Sequence, residues 1–440
     1  MRVSVVAAVD VPPPAPDAAP GLIGNTPRRL GAWLVALVLL ALVTGLVGGY
    51  QIDDRSSVVD DVALRSGALS TTELALYQSL SDADATAASA FLAGGLEPPK
   101  LRQRYENAIA RASAALATAA DGAPAEQSAT ITELSVNLPV YTGLVERARA
   151  YNRQRLPLGA AYLRQASSLM RETLLPAAQK LYQDEARRLD AAQRSADGGL
   201  WLTLLLVVVL LGGLAWAQRE LTGRTNRVFN RGLLVATAAT LVAGIWLGVA
   251  TFAAAGHMDA SRRDGAAQLA LLAEARIVAL QARSDEAMTL IARGGGAEFE
   301  EHYTDEIKRL VGLVGDSGLL AEARKQATED QVRDALDEAI ATARQWRAVH
   351  SEVREADNAG NYNDAVTKTI GDAPDSAGSL AGKLDAQLAR AIGYASARFH
   401  QEAARARGAL YGVGYALGVL MLITAVGIAV GLQRRIREYR

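Results

Sequence analysis

Four stretches of the chain lose their ionisable residues altogether, and the segments between them change to a helical period. Residues 30–49, 199–217, 233–255 and 410–432 contain no Asp, Glu, Lys, Arg or His. Each holds about 19–23 residues, which at a rise of 1.5 Å matches a hydrocarbon core of roughly 30 Å and predicts a membrane-spanning helix. Trp33 and Tyr50 bracket the first stretch and Trp201 and Trp216 the second, where amphipathic rings suit the headgroup layer. The first stretch is too long for the apolar region of a cleaved leader, and no small-x-small cleavage site follows it. It is expected to stay as an anchor.

Between the spans, apolar positions recur at helical spacing. Val62, Leu69, Leu76, Ala83 and Ala90 repeat every seven residues, as do Ala266, Ala273, Leu280 and Ala287. Such a seam predicts antiparallel helical bundles. Turn chemistry divides the first segment at Gly94-Gly95 with Pro98-Pro99, at Asp121 to Pro124 and at Arg155 to Gly159. The second divides at Gly294 to Gly296, Gly315 to Gly318 and Asn358 to Asn361, with a further interruption at Gly371 to Pro374. A first helix over 50–93 would be about 66 Å long and continuous with the first span, so each bundle is expected to be rigidly coupled to its spans. Pro139 and Pro176 fall inside expected helices and should kink them.

The short segments set the expected direction. Arg28 and Arg29 precede the first span, the connector 218–232 carries Arg219, Arg224, Arg227 and Arg231 against the single acid Glu220, and the chain ends QRRIREYR. Positive charge in short loops marks the cytoplasmic side. The expected organisation is therefore a cytoplasmic Pro-rich tail (1–29), a span (30–49), an extracytoplasmic bundle (50–198) and a span (199–217). An Arg-rich cytoplasmic connector (218–232), a span (233–255), a second extracytoplasmic bundle (256–409), a span (410–432) and a cytoplasmic tail (433–440) follow. The fold class is an all-α membrane protein with four transmembrane helices and two tandem extracytoplasmic four-helix bundles. The halves also echo each other: ASAFLAGG precedes Tyr105 as MTLIARGG precedes Tyr303, each tyrosine standing four residues before an isoleucine.

Composition narrows the chemistry. The 46 Lys+Arg and 47 Asp+Glu nearly cancel, which excludes the basic footprint of a nucleic-acid binder. Zero cysteines exclude disulfides, thiolate metal sites and a cysteine nucleophile. His257, His302, His350 and His400 show no metal-ligand spacing and are expected at solvated helix positions. No GxSxG, Walker A or HExxH motif occurs, and no enzymatic activity, cofactor or metal is expected. Spans without ionisable groups disfavour ion-coupled transport. Gly45/Gly49, Gly244/Gly248 and Gly414/Gly418 permit close helix contact, and a homodimer is one arrangement open to the chain. About 29, 15 and eight residues are left on the cytoplasmic side, too few to bury a core. A separate cytosolic partner is therefore expected to receive any signal.

Helical bundles held between paired spans resemble the ligand-binding domains of bacterial chemoreceptors and sensor kinases. The stretches SDADATAASAFLAGGLEPP and RLPLGAAYLRQAS, set in this four-span layout, resemble actinobacterial membrane sensors of the GlnX type. That resemblance implies a relay for extracytoplasmic aspartate or glutamate, sensed directly or through a solute-binding lipoprotein, to a cytosolic Ser/Thr protein kinase. It transfers no individual site. From the residues themselves, Asp82, Asp84, Thr86, Ser89, Arg102, Arg104 and Tyr105 gather at the expected membrane-distal end of the first bundle. Ser284, Asp285, Arg293, His302 and Tyr303 do so in the second. An amino acid needs a cation for its carboxylate and an acceptor for its amine. Of these, Asp82, Asp84, Arg102, Arg104, Tyr105, Arg293 and Tyr303 are the ligand- or partner-binding candidates, with solvated helix faces as the plainer reading. Arg219, Arg224, Arg227 and Arg231 are candidates for docking the cytosolic partner, although topology and lipid headgroups also account for them. The expected function is a non-enzymatic transmembrane sensor; the alternative is a constitutive envelope scaffold or transporter accessory.

Overall fold

A computed structural model describes residues 26–60, 67–196, 200–225, 230–260, 267–312, 317–371 and 373–438. No strand occurs among them. The Pro-rich stretch 11–20, Val62 and Arg227 lie outside the described residues. Four helices are long and apolar enough to cross a membrane, with mean hydropathies of 2.0 to 2.3 over their best windows. The chain divides into two compact units.

The first unit takes its described residues from Met1–Gln51, Gly199–Gly248 and Gly412–Arg440. It contains parts of α1 (Thr26–Asp60) and α8 (Arg231–Ala260), together with all of α7 (Leu200–Thr225) and α15 (Val413–Glu438). Its polarity is inverted relative to a water-soluble bundle. Leu39, Leu46, Val208, Val242, Ile245 and Val426 are exposed, while Thr44, Thr203, Thr240 and Thr424 are buried. The Thr240 and Thr424 hydroxyls meet at 3.2 Å, and Thr203 donates to the Gln51 side chain. Apolar surface outside and hydroxyl bonds inside are what a hydrocarbon solvent selects.

Small residues set the closest approach in this unit, but mostly not the expected ones. A Cβ on Gly232 of α8 would lie 2.6 Å from the Gly427 carbonyl oxygen and 2.7 Å from Gly431 Cα. The pair Gly427/Gly431, four apart on α15, therefore makes the backbone contact. Asn230 Nδ2 ties it by donating to the Gly431 carbonyl at 2.9 Å. Of the pairs singled out above, Gly45 meets Met421 and Gly244 meets Val207, whereas Gly49, Gly248 and Gly418 face open space.

The second unit takes its described residues from Ile52–Gly198 and Val249–Tyr411. Its first half has α2 (Gly67–Leu92), α3 (Pro99–Gly122), α4 (Ser128–Arg153), α5 (Leu158–Leu169) and α6 (Leu175–Ala196). The second has α9 (Gln268–Ile291), α10 (Ala297–Val311), α11 (Leu319–Gln326), α12 (Asp330–Asn358), α13 (Tyr362–Ile370) and α14 (Ala377–Leu410). The breaks fall at the expected glycines, with Gly94, Gly95, Gly294 and Gly360 all at positive φ. Pro139 is carried within α4. Pro176 follows a π turn over Met170–Leu174, in which the Leu175 N–H reaches back to Met170 O. The wider turn resets the hydrogen-bond ladder where proline has no N–H to give. At the other end of the unit α14 stops at Leu410, and Gly412, at φ +75°, turns the chain before α15.

The two segments expected as separate bundles form this one unit because α2 and α9 pack on each other. One core combines Leu74, Leu80 and Ala87 with Ala273, Ile277, Ala287 and Met288. The opposite face of α9, through Leu272, Val278 and Ala282, joins a second core with Tyr303, Leu336, Trp346 and Leu384. Both helices are consequently enclosed on all sides, the setting in which an amphipathic stripe disappears.

Replacing Gly232 by Leu should force α8 and α15 apart and destabilise the purified full-length protein by about 1–3 kcal/mol. Gly248→Leu, which points into open space, should be tolerated. Thermal unfolding of both variants in detergent checks the contrast.

Candidate functional site

The pair of helices α2 and α9 is rich in small side chains, with Ala83, Ala87, Ala90, Ala279, Ala282 and Ala287 all buried. It nevertheless holds Asp82, Asp84, Arg283, Asp285 and Glu286, each at most 7 % exposed. Buried charges need partners within reach, and neighbouring helices supply them. Asp84 accepts from Tyr141 Oη at 3.4 Å, Ser167 Oγ at 3.1 Å and Ser284 Oγ at 2.8 Å, joining α2 to α4, α5 and α9. Asp82 accepts from Arg104 at 2.7 Å and Arg111 at 3.1 Å. Arg104 also reaches Asp385 on α14 at 2.8 Å, and Arg276 binds the same carboxylate at 2.7 Å and Gln78 at 3.1 Å.

Arg283 sits among these groups with no hydrogen-bond partner for Nε or Nη1. Burial, aided by the nearby Arg104 charge, lowers it to about 10 against the pull of Asp82, Asp385 and Glu286. On the other side of α9, Arg171 pairs with Asp285. Burial raises the Asp285 carboxyl against the Arg171 charge, and burial with the Asp285 charge raises Glu306 well above the carboxylate range.

From Glu286 a polar chain leads out of the seam. Its carboxylate accepts from Trp346 Nε1 at 3.1 Å and bonds His350 Nδ1 at 2.9 Å. His350 Nε2 bonds Glu300 at 3.1 Å, and Arg354 lies 3.1 Å from the same carboxylate. Burial disfavours the imidazolium, but the hydrogen bonds it donates to Glu286 and Glu300 outweigh this and lift His350 to about 9. His350 is thus a buried cation, not the solvated helix residue expected of it. His302 and His400 are exposed as expected, and His257 bonds Glu402.

Tyr303 stacks on the His350 ring with centroids 3.6 Å apart. Two cavities open beside this stack and share Glu300, Arg354 and Asn358. One, of about 550 Å³, is lined by Tyr303, Thr304, Arg347, His350, Ser351 and Glu355 among others. The other, of about 580 Å³, lies against the α9–α10 turn with Thr289, Arg293, Asp357 and Tyr362.

The structure scatters the sequence candidates across different settings. Asp82 and Arg104 pair directly, and Asp84 lies in the seam. Arg102 is an exposed residue paired with Glu106 at 2.8 Å. Tyr105 is buried beneath the Arg149 guanidinium, 4.2 Å from its ring centroid. Arg293 lies over the Tyr362 ring at 4.5 Å, with φ +43°. Tyr303 lines the first cavity. Arg219 and Arg231 are exposed, and Arg224 falls in α7. Sequence reasoning passed over Arg171, Arg276, Arg283, Glu286, Glu300, His350 and Asp385. Their signal was charge placed within Ala-rich helices, which reads equally as a solvated face.

Residues 58–194 match the family model of an actinobacterial sensor domain. The match lies on the first half of the helical unit and supports a sensing role. No match was found among curated proteins or among solved structures.

Two outcomes follow. Asp84→Ala leaves three hydroxyls without their acceptor and should cost roughly 2–4 kcal/mol of stability, measured by chemical denaturation. Stability should also fall as pH rises. His350 is lifted from 6.5 to about 9. Buried Glu73 is lifted from 4.5 to about 8 by burial and by Glu185. A raised folded pKa contributes stability that is complete below the unfolded value and lost as pH passes the folded one. Glu73→Gln should therefore be more stable than the parent at about pH 8, by roughly 1–3 kcal/mol, and equal to it near pH 4.5. Paired melting curves at the two pH values check this.

Proposed function

We propose that the protein is a non-enzymatic transmembrane sensor. In this reading the helical unit faces outward, both termini and the Arg-rich connector face the cytoplasm, and the chain lies in the plasma membrane. The signal is extracytoplasmic aspartate or glutamate, bound directly or presented by a solute-binding lipoprotein, and the receiver is a cytosolic Ser/Thr protein kinase docked at Arg219, Arg224, Arg227 and Arg231.

The observation that carries this reading is the charged seam between α2 and α9. Well-packed apolar side chains would hold two helices together at least as firmly as buried ion pairs. Shared partners do something apolar contacts cannot. Arg104 divides its donors between Asp82 and Asp385, Asp385 divides its acceptors between Arg104 and Arg276, and Arg283 stands beside them without hydrogen-bond partners for Nε and Nη1. In this reading a small sliding of α9 carries Arg276 and Arg283 along the row Asp82, Arg104 and Asp385, so that carboxylates can change partners and the seam can serve as a two-register switch. A ligand that binds one register better shifts the population toward it. The resemblance over 58–194 to a sensor domain supports the same reading. Positive charge in short segments supports the direction of insertion.

The test is made in cells carrying the full-length chain. External aspartate or glutamate should change the activity of the kinase recovered with it. Replacing all four connector arginines by Gln should abolish that recovery without altering insertion. Kinase recovery unchanged by the substitution overturns the docking role. Recovery and activity indifferent to either amino acid would instead identify a constitutive scaffold.

A further inference from the structure

We infer that the cavity beside Tyr303 and His350 binds a small carboxylate, with Arg347 as its charge partner and the Tyr303 hydroxyl as a second donor. The cavity, of about 550 Å³, is of the size that encloses a small organic molecule. Tyr303 is 2 % exposed, yet its hydroxyl has no hydrogen-bond partner. Buried polar atoms in native proteins are almost always satisfied, so an unpaired hydroxyl on a residue that lines a cavity marks where a ligand atom can complete the set. Phenylalanine would fill the same space in the stack without that penalty.

The other lining groups select the ligand's charge. Glu300 is engaged by His350 and Arg354, and Arg354 by Glu300 and Asp357. His350 is fixed at both nitrogens by Glu286 and Glu300. Arg347 is different. It donates Nη1 to the Gly312 carbonyl at 3.0 Å, and a guanidinium carries five N–H donors, so most of its fork is available. Arg347 thus offers a guanidinium and Tyr303 a phenol, both donors, which suit the two oxygens of a carboxylate. Glu355 is exposed at the same cavity and can accept from an ammonium group if the ligand carries one.

The site rests on the sensing reading only for its consequence. Occupancy at Tyr303 lies one ring from His350, and His350 bonds Glu286 in the α9 seam at 2.9 Å. A carboxylate bound there therefore touches the element proposed to switch.

The experiment is a ligand titration of the purified full-length protein, followed by thermal shift and calorimetry, with glutarate and L-glutamate as probes and n-butylamine as the cationic control. Both acids are expected to stabilise the protein saturably, and the amine is not. Tyr303→Phe should leave the unliganded melting temperature unchanged or raised, because no protein hydrogen bond is lost, while affinity falls about tenfold. Arg347→Gln should weaken binding about a hundredfold. The assignment is overturned if neither acid gives a saturable shift, if the amine binds instead, or if both variants bind as the parent does. Carboxylate binding without any kinase response would leave the site standing and reject the relay. A kinase response that survives both substitutions with binding abolished would leave the site standing and reject its link to the switching seam.

Discussion

The packing of α2 on α9 governs most of what distinguishes this molecule. Buried alanines of both helices, Ala83, Ala87, Ala273 and Ala287 among them, share one core, and Asp84 reaches Ser284 across the contact at 2.8 Å. Enclosure on all sides then leaves every ionisable group on these helices dependent on its neighbours. Arg104, Arg111, Arg171 and Arg276 are placed as they are because Asp82, Asp285 and Asp385 must be answered. Low local polarity makes each pairing strong and each omission costly. The arrangement therefore fixes the geometry of four surrounding helices from one contact.

The two halves use a common device with different outcomes. In each, a tyrosine of the second helix lies buried against a cation of a later one: Tyr105 beneath Arg149, Tyr303 against His350. Arg149 is held by Glu97 and Glu146, and His350 by Glu286 and Glu300. The second stack is tied to α9 through Glu286, which His350 bonds at 2.9 Å. Cavities open beside that stack. The half matched by the sensor-domain model and the half with this cavity meet at the same charged contact.

In the unit of apolar helices the same physics runs with the solvent reversed. Threonine hydroxyls turn inward to one another or to carbonyls, and Leu, Val and Ile turn outward. Gly232 against Gly427 and Gly431 provides backbone contact where no hydrophobic force favours helix association.

Much of this was legible in the linear pattern. The four apolar stretches, the helical period and the breaks at Gly94, Arg155, Gly294 and Gly360 follow from local rules: charge is excluded from hydrocarbon, and few residues adopt positive φ. The shared echo around Tyr105 and Tyr303 was visible too. What only the tertiary structure decided is which faces are interior. A seven-residue seam predicts one buried stripe per helix, whereas α9 is packed by two cores and residues 79–90 of α2 are all buried. Asp82 and Asp84, whose plainer reading was a solvated face, are therefore buried at the centre, together with Arg283 and Glu286, which the linear pattern did not single out. Glycine spacing likewise announced that close contact was possible in several places, and the choice of Gly427/Gly431 came from the partner helix. Periodicity reports the angle between residues on one helix. It carries no information about how many neighbours surround that helix, and burial of charge depends on that number.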